Sequence, residues 1–149
     1  MESEIYASFK IIGPHLDPEQ VTRSIGISPS KTWRIGDLVV EQALLRHKNN
    51  GWLLKSNLPL SATLKEHVRF ILAQLQVSWQ ALKELCTQHD AEISCVVMSY
   101  GGDRPAMFFD KDIISRAADL NAAIDIDLYV FPRRRKSTRL PDTKVSSTP

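Results

Sequence analysis

The sequence has only two cysteines, Cys86 and Cys95, in 149 residues. Two thiols in a chain of this length argue against a disulfide framework and for a reducing compartment, so we expect a cytoplasmic protein. Long apolar runs are missing as well. The N-terminus has neither the basic start nor the apolar stretch of a secretion signal, and the longest amphipathic segment carries charges throughout. We therefore expect no association with a membrane.

The motifs of common enzyme classes are missing too. The segment from Gly26 to Thr32 lacks the glycine that a phosphate loop needs before its lysine, because Ser30 precedes Lys31. There is no glycine-framed serine and no dinucleotide fingerprint. A zinc site at Cys86, His89 and Cys95 is disfavoured, since both cysteines lie on apolar stripes. We expect no cofactor, and activity as a common hydrolase or oxidoreductase is less expected.

Positive charge is concentrated at the C-terminus. The formal net charge is +2, but six Lys or Arg and one Asp give residues 133–149 a charge of +5, which leaves −3 for residues 1–132. The sequence predicts one folded domain over residues 1–132 and a basic, disordered tail over residues 133–149. Nucleic acid is expected to bind only weakly, through the tail. The acidic domain body suits a basic protein partner.

Apolar periodicity predicts the elements of the fold. Residues 5–11, 92–100 and 124–130 alternate as strands do, and residues 52–55 are predicted as a short strand. Trp33 to Leu45 is predicted as a strand with a bend at Gly36-Asp37, joined to residues 52–55 by the turn formers Asn49-Asn50-Gly51. In the last strand, Ile124, Ile126, Leu128 and Val130 are expected to face the core.

Helix signals are equally clear. Capping residues are predicted at Asp17, Thr63 and Asp110, with stops at Gly26 and Asn121. A single apolar stripe predicts a long helix, and its members are Leu64, Val68, Ile71, Leu72, Leu75, Trp79, Leu82 and Cys86. The order of elements predicts an α+β two-layer sandwich. A mostly antiparallel or mixed sheet of about five strands is covered on one face by one long and two shorter helices, which leaves the other face partly wet or free to bind.

Two groups of side chains are candidate binding residues. Trp33, Arg34, Asp37 and Trp52 form the first, because a hairpin could display two indoles and a guanidinium, which are common in binding hot spots. The alternative, that both indoles cap the sheet, has equal weight.

The second group is Asp125, Asp127 and Tyr129 on the polar side of the last strand. These carboxylates could hold a metal or act as an acid–base pair. Acids on a wet sheet face are more commonly structural, and no third ligand is evident.

Several short motifs, in order, resemble the uncharacterised bacterial family called domain of unknown function 4279. They are Tyr6-Ala7-Ser8-Phe9, Leu16-Asp17-Pro18, Ile25-Gly26-Ile27, Pro29, Trp33-Arg34-Ile35-Gly36-Asp37, Gly51-Trp52, Ser94-Cys95, Gly101-Gly102 and Asp125-Ile126-Asp127-Leu128-Tyr129. The similarity spans roughly residues 5–131. The resemblance implies no activity that can be carried over to residues here. Small bacterial domains of this kind are often suspected of immunity or defence roles.

Two hypotheses follow from the sequence. The first is a non-enzymatic protein-interaction module, of the immunity type, that presents the hairpin between Trp33 and Trp52 or the open sheet face to a partner. The second is a small-molecule or metal-binding domain, or an enzyme, that uses Asp125, Asp127 and Tyr129 together with Arg34 in one pocket. The oligomeric state is left open.

Overall fold

The structure is a computed structural model that describes residues 3–40 and 44–132. The tail predicted for residues 133–149 lies outside this part of the chain. The described residues form one five-stranded mixed sheet with helices packed on one of its faces, as predicted.

The sheet has the spatial order β2-β3-β1-β4-β5. Its strands are β1 (Glu4–Gly13), β2 (Lys31–Trp33), β3 (Asn50–Lys55), β4 (Asp90–Tyr100) and β5 (Ala122–Phe131). β1 lies in the centre and pairs antiparallel with β3 and β4, β2 pairs antiparallel with β3, and β4 pairs parallel with β5. The two edges of the sheet are therefore β2 and β5.

The helices are α1 (Pro18–Ile25), α2 (Leu64–Leu75), α3 (Trp79–Gln88) and α4 (Lys111–Asp119). The predicted long helix is α2 and α3 joined by one 3₁₀ turn, Gln76–Ser78. The predicted caps at Asp17, Thr63 and Asp110 each accept a backbone N–H of the first helical turn. Gly26 and Asn121 end their helices with positive φ angles of 70° and 55°.

The core lies between the helices and one face of the sheet. The predicted stripe of α2 and α3 is buried except for the half-buried Trp79, and it packs against buried side chains of β1 and β4. Burial of each large aliphatic side chain contributes about 1.5–3 kcal/mol. Burial also raises the pKa of the Cys86 and Cys95 thiols to about 11 and about 12, so both behave as small apolar groups.

The predicted strand from Trp33 to Leu45 is wrong, because β2 ends at Trp33. The Asp37 carboxylate accepts the Arg34 N–H at 2.8 Å, and Gly36 has a φ of 93°, so the chain turns there. The chain leaves the sheet after Trp33 and re-enters it at Asn50, and we call the described residues between them, 34–40 and 44–49, the β2–β3 excursion. Asn50 and Gly51 were predicted as turn residues but belong to β3.

The side chains of the last strand, β5, point to the predicted faces of the sheet, but those on the helix-covered face are not buried as predicted. Parallel pairing puts Ile126 beside Cys95 and Leu128 beside Val97, on the helix-covered face. The nine residues of α4 span about 13 Å, whereas the ten residues of β5 span about 33 Å. α4 is therefore too short to cover the strand, and the exposure of Leu128 is 49% where that of Val97 is 0%.

Candidate functional site

Exposed large apolar side chains gather at the two edges of the sheet. One group lies on the β2–β3 excursion: Ile35, Leu38, Val40, Leu44 and Leu45. The other lies on β5: Ile126, Leu128, Tyr129, Val130 and Phe131. Scattered apolar residues on a surface are ordinary, but contiguous ones mark binding sites. The two edges are therefore the candidate functional surfaces.

The predicted binding residues are divided between these edges. Trp33, Arg34 and Asp37 lie at β2 and the turn after it, and the predicted acidic set lies on β5. Three strands separate β2 from β5, which places them about 19 Å apart at the usual strand spacing. The structure does not bring Arg34 together with Asp125, Asp127 and Tyr129 in one pocket.

The two indoles point to opposite faces of the sheet. Trp52 pairs with Ile11 in register, has no exposed surface, and donates its indole N–H to the Thr22 hydroxyl at 3.0 Å. It belongs to the core, so it is not available to a partner. Trp33 pairs with Gly51 and lies on the open face.

Trp33 is held in a layered contact that the sequence did not reveal. A Cβ atom on Gly51 would lie 2.1 Å from the Trp33 ring, so the indole rests directly on the glycine backbone. His47 stacks on the same indole with 4.7 Å between ring centroids and 19° between planes. The indole, 8% exposed, is therefore enclosed between β3 and the excursion.

Arg34 and Asp37 hold the excursion in place. The Arg34 guanidinium forms ion pairs with Asp17 at 3.2 Å and with Glu19, both at the start of α1. Asp37 closes the turn after β2 through the Arg34 N–H. Both side chains are exposed, but their polar atoms are engaged within the protein. Any role in binding a partner stays a prediction.

The β5 edge presents polar and apolar side chains on opposite faces. Asp125, Asp127 and Tyr129 lie on the open face, and neither carboxylate forms a hydrogen bond or ion pair with any residue in the described ranges. Phe131, at the end of the strand, stacks on Tyr100 with ring centroids 5.1 Å apart. Metal binding or acid–base chemistry at these carboxylates stays a prediction.

The outer edge of β5 carries little of the usual protection. Natural edge strands are kept from pairing by charged side chains, above all lysines, and by prolines, bulges or short length, and of these β5 has only the two aspartates on its open face. β5 is ten residues long and contains no Lys, Arg or Pro. No other strand of residues 3–40 and 44–132 pairs with its outer side. A row of backbone N–H and C=O groups is thus free for another strand.

A serine–histidine pair in the interior has the geometry of a nucleophile and base, but it is structural. Ser56 Oγ lies 2.6 Å from His67 Nδ1, and His67 Nε2 lies 3.1 Å from the Pro59 carbonyl. A carbonyl can only accept, so Nε2 carries the proton and Nδ1 accepts from the serine. The exposures of Ser56 and His67 are 3% and 0%, which leaves no room for a substrate.

Within residues 3–40 and 44–132, no group of His, Cys, Asp and Glu is arranged so that it could hold a metal ion. None of the helices in the same ranges combines the length and the apolar composition needed to cross a bilayer.

Comparison with known proteins gives one result on family. No curated protein and no solved structure matches the chain. A family model described as Domain of unknown function (DUF4279) matches residues 3–131, which is nearly the whole described domain. The match includes both edges of the sheet and confirms the resemblance carried by the short motifs. The chain belongs to the DUF4279 family.

Proposed function

We propose that this protein is a non-enzymatic interaction module that binds a strand of a protein partner along the outer edge of β5. One observation carries the proposal: β5 is a long edge strand whose outer side pairs with no strand of residues 3–40 and 44–132, and five large apolar side chains are exposed on it. An added strand would pair with the free backbone groups and cover these side chains. Main-chain hydrogen bonds give affinity in this mode, and alternate side chains give specificity.

The side chains of β5 indicate the chemistry of the partner strand. On the helix-covered face, Ile126, Leu128 and Val130 require aliphatic neighbours. On the open face, the unpaired Asp125 and Asp127 favour Lys or Arg in the cross-strand positions. The fitting segment alternates aliphatic and basic residues.

The charge of the domain supports the same partner. Residues 1–132 carry a formal charge of −3 without the tail, and a negative body attracts a basic partner during diffusional encounter. An immunity-type role, in which this domain occupies and blocks a basic protein, would use β5 in this way.

A pair of designed peptides tests the proposal. The probe is a nine-residue peptide that alternates Val and Lys, and the matched control alternates Val and Glu. Binding is followed by amide chemical shifts and hydrogen exchange of the protein. We expect the Val–Lys peptide to perturb and protect β5 and the Val–Glu peptide to bind at least about tenfold more weakly, because it places carboxylates against Asp125 and Asp127.

Two variants test whether the peptide binds at the β5 edge or elsewhere on the surface. Leu128→Lys places a charge in the centre of the helix-covered side of β5 and is expected to abolish peptide binding. Val77→Lys makes the same change at a side chain that is 80% exposed on the 3₁₀ turn, away from the sheet, and should bind normally. Equal binding by the two variants contradicts the proposal. So does a wild-type protein whose β5 pairs with a second copy, seen as dimers in sedimentation that Leu128→Lys dissociates.

A further inference from the structure

We infer that a cleft on the open sheet face, beside Trp33, binds a small phosphate-bearing anion. The cleft has a volume of about 320 Å³, and three lysines contribute to its wall. Its lining residues are Lys10, Ile12, Lys31, Trp33, His47, Lys48, Asn49 and Leu53. It lies at the opposite end of the sheet from the outer edge of β5, so the inference does not depend on the proposed function.

Strand register places two of the lysines on either side of one apolar residue. Leu53 pairs with Lys10 on β1 and with Lys31 on β2, so the three residues form one row across the sheet. Lys10 and Lys31 are thus two strands apart, about 10 Å between backbones. Both side chains lie on the open face with Leu53 between them as the floor. This spacing lets two flexible ammonium groups converge on one anion.

The excursion supplies the other wall. Lys48 and Asn49 lie directly before β3, and His47 is fixed by its stack on Trp33. The His47 Nε2 atom is inaccessible to water and has no hydrogen-bond partner among the described residues. Buried polar atoms are nearly always satisfied, so an orphaned nitrogen at a cleft points to a ligand atom that completes it. The atom has no accessible surface in this structure, so a phosphate oxygen reaches its N–H only after a small movement of the His47 ring.

Positive charge in the cleft is not balanced from within. Lys31 and Lys48 form no ion pair with any residue of the described ranges, whereas Lys10 contacts Glu92 at 3.3 Å. Burial, and then the charge of Lys31, lower the pKa of His47, and Lys10 adds to this while Asp37 opposes it. The histidine therefore experiences a net positive environment. Phosphate groups are bound in proteins by such convergent ammonium and N–H donors.

The size of the cleft limits the ligand. A volume of about 320 Å³ lies at the lower end of the range for small-molecule sites, roughly 300–1,000 Å³. The Trp33 indole already contacts Gly51, His47 and the Lys31 ammonium, which lies 5.8 Å from its centroid, and it is only 8% exposed, so no base can stack on it. Recognition by ring stacking, which single-stranded nucleic acids use, is thus not provided. A small phosphorylated metabolite fits better than a nucleic acid.

Calorimetric titrations at constant ionic strength test the inference on the full-length protein. The probes are inorganic phosphate, pyrophosphate and ribose 5-phosphate, with chloride as the background anion. We expect saturable binding of pyrophosphate or ribose 5-phosphate. Tighter binding of ribose 5-phosphate indicates that the organic part is recognised, and tighter binding of pyrophosphate indicates that charge dominates. Either order supports the inference.

Matched variants locate the binding. Lys31→Gln combined with Lys48→Gln should weaken binding at least about tenfold, since each hydrogen bond from a charged group is worth about that factor or more. Lys55→Gln removes one charge from an exposed lysine of β3 outside the cleft and should change affinity by less than about twofold. Glu92→Gln releases Lys10 from its ion pair and should strengthen binding by about twofold.

A further variant tests the orphaned nitrogen. His47→Phe keeps an aromatic ring on Trp33 but removes Nε2, so it should weaken binding while the melting temperature stays close to that of the wild type. The inference is overturned if no probe binds saturably. It is equally overturned if the double lysine variant, with an unchanged circular dichroism spectrum, binds as tightly as Lys55→Gln.

Discussion

The two edges of this sheet are built in opposite ways. β2 is three residues long, begins with Lys31, and is followed by a turn that Arg34 ties to α1. β5 is ten residues long, has no basic residue, and exposes apolar side chains on both faces. Short length and lysine are the devices that keep edge strands from pairing. One edge is thus protected and the other is open to a partner.

The same contrast holds for charge. The β2 end of the open face carries three lysines around a cleft, whereas the β5 end carries two unpaired aspartates. A basic strand and a small anion would therefore be attracted to opposite ends of the same face. One layer of strands thus carries opposite charges at the two ends of one face, so the two proposed binding surfaces would attract different ligands without a second domain.

The largest effect on stability is expected when the same substitution is made at two paired residues, one on β4 and one on β5. Val97 and Leu128 are paired in register on the helix-covered face, but only Val97 is buried. Val97→Asn should cost about 3 kcal/mol of unfolding free energy, because it buries an amide without partners and removes apolar burial. Leu128→Asn should cost less than about 1 kcal/mol. Urea denaturation measures both, and similar losses would mean that β5 is covered in solution.

Much of the fold was predictable because its signals are local. The caps at Asp17, Thr63 and Asp110 need only three or four residues each, and the stripe of α2 and α3 repeats within single turns. The exposure of β5 was not predictable in this way. It depends on where the short α4 lies above the sheet, and strand order decides that.

The sites were predicted less well than the fold, for two physical reasons. The sequence predicts that Trp52 joins Trp33 because Asn50 and Gly51 are typical turn residues, whereas in β3 Trp52 and Leu54 lie on the core face, opposite Leu53 and the exposed Lys55. The contacts of Trp33 with His47 and Gly51 join residues 14 and 18 positions apart, for which the sequence contains no periodic signal. The acidic positions on β5 were placed correctly on the open face.

A smaller loss of stability is expected from a substitution at Gly51, where the indole of the β2 edge rests on β3. Gly51 has no positive φ, so its backbone accepts alanine, but the new Cβ would collide with the Trp33 ring. Gly51→Ala should therefore cost about 2 kcal/mol of unfolding free energy by displacing the indole.

The Trp33→Ala background is the control for this change. Without the indole the collision disappears, and alanine is favoured over glycine in a strand by roughly 0.5–1 kcal/mol, so Gly51→Ala should become neutral or stabilising. If the cost of Gly51→Ala is the same in both backgrounds, the indole does not rest on Gly51 and the protection of the β2 edge is explained wrongly.

The smallest effect on stability is expected from lowering the pH. This effect should arise on the β2 side of the sheet, because β5 contains no histidine. Burial lowers the pKa of His67, although the Pro59 carbonyl and Glu66 oppose this, and burial also lowers the pKa of His47. A folded pKa below the unfolded value near 6.5 means that the stability is present above about pH 6.5 and is lost as pH falls through the folded pKa.

We therefore expect the unfolding free energy to fall between pH 7 and pH 5 through His67, which is fully buried. His67→Leu should be less stable at pH 7, because Ser56 and Pro59 lose their partner, yet its stability should depend less on pH over this interval. Hydrogen exchange should show the segment from Ser56 to His67 losing protection before β4 and β5. If β5 loses protection first, or if His67→Leu keeps the full pH dependence, then His67 is not the source of the instability in acid and the contrast between the two edges does not extend to pH.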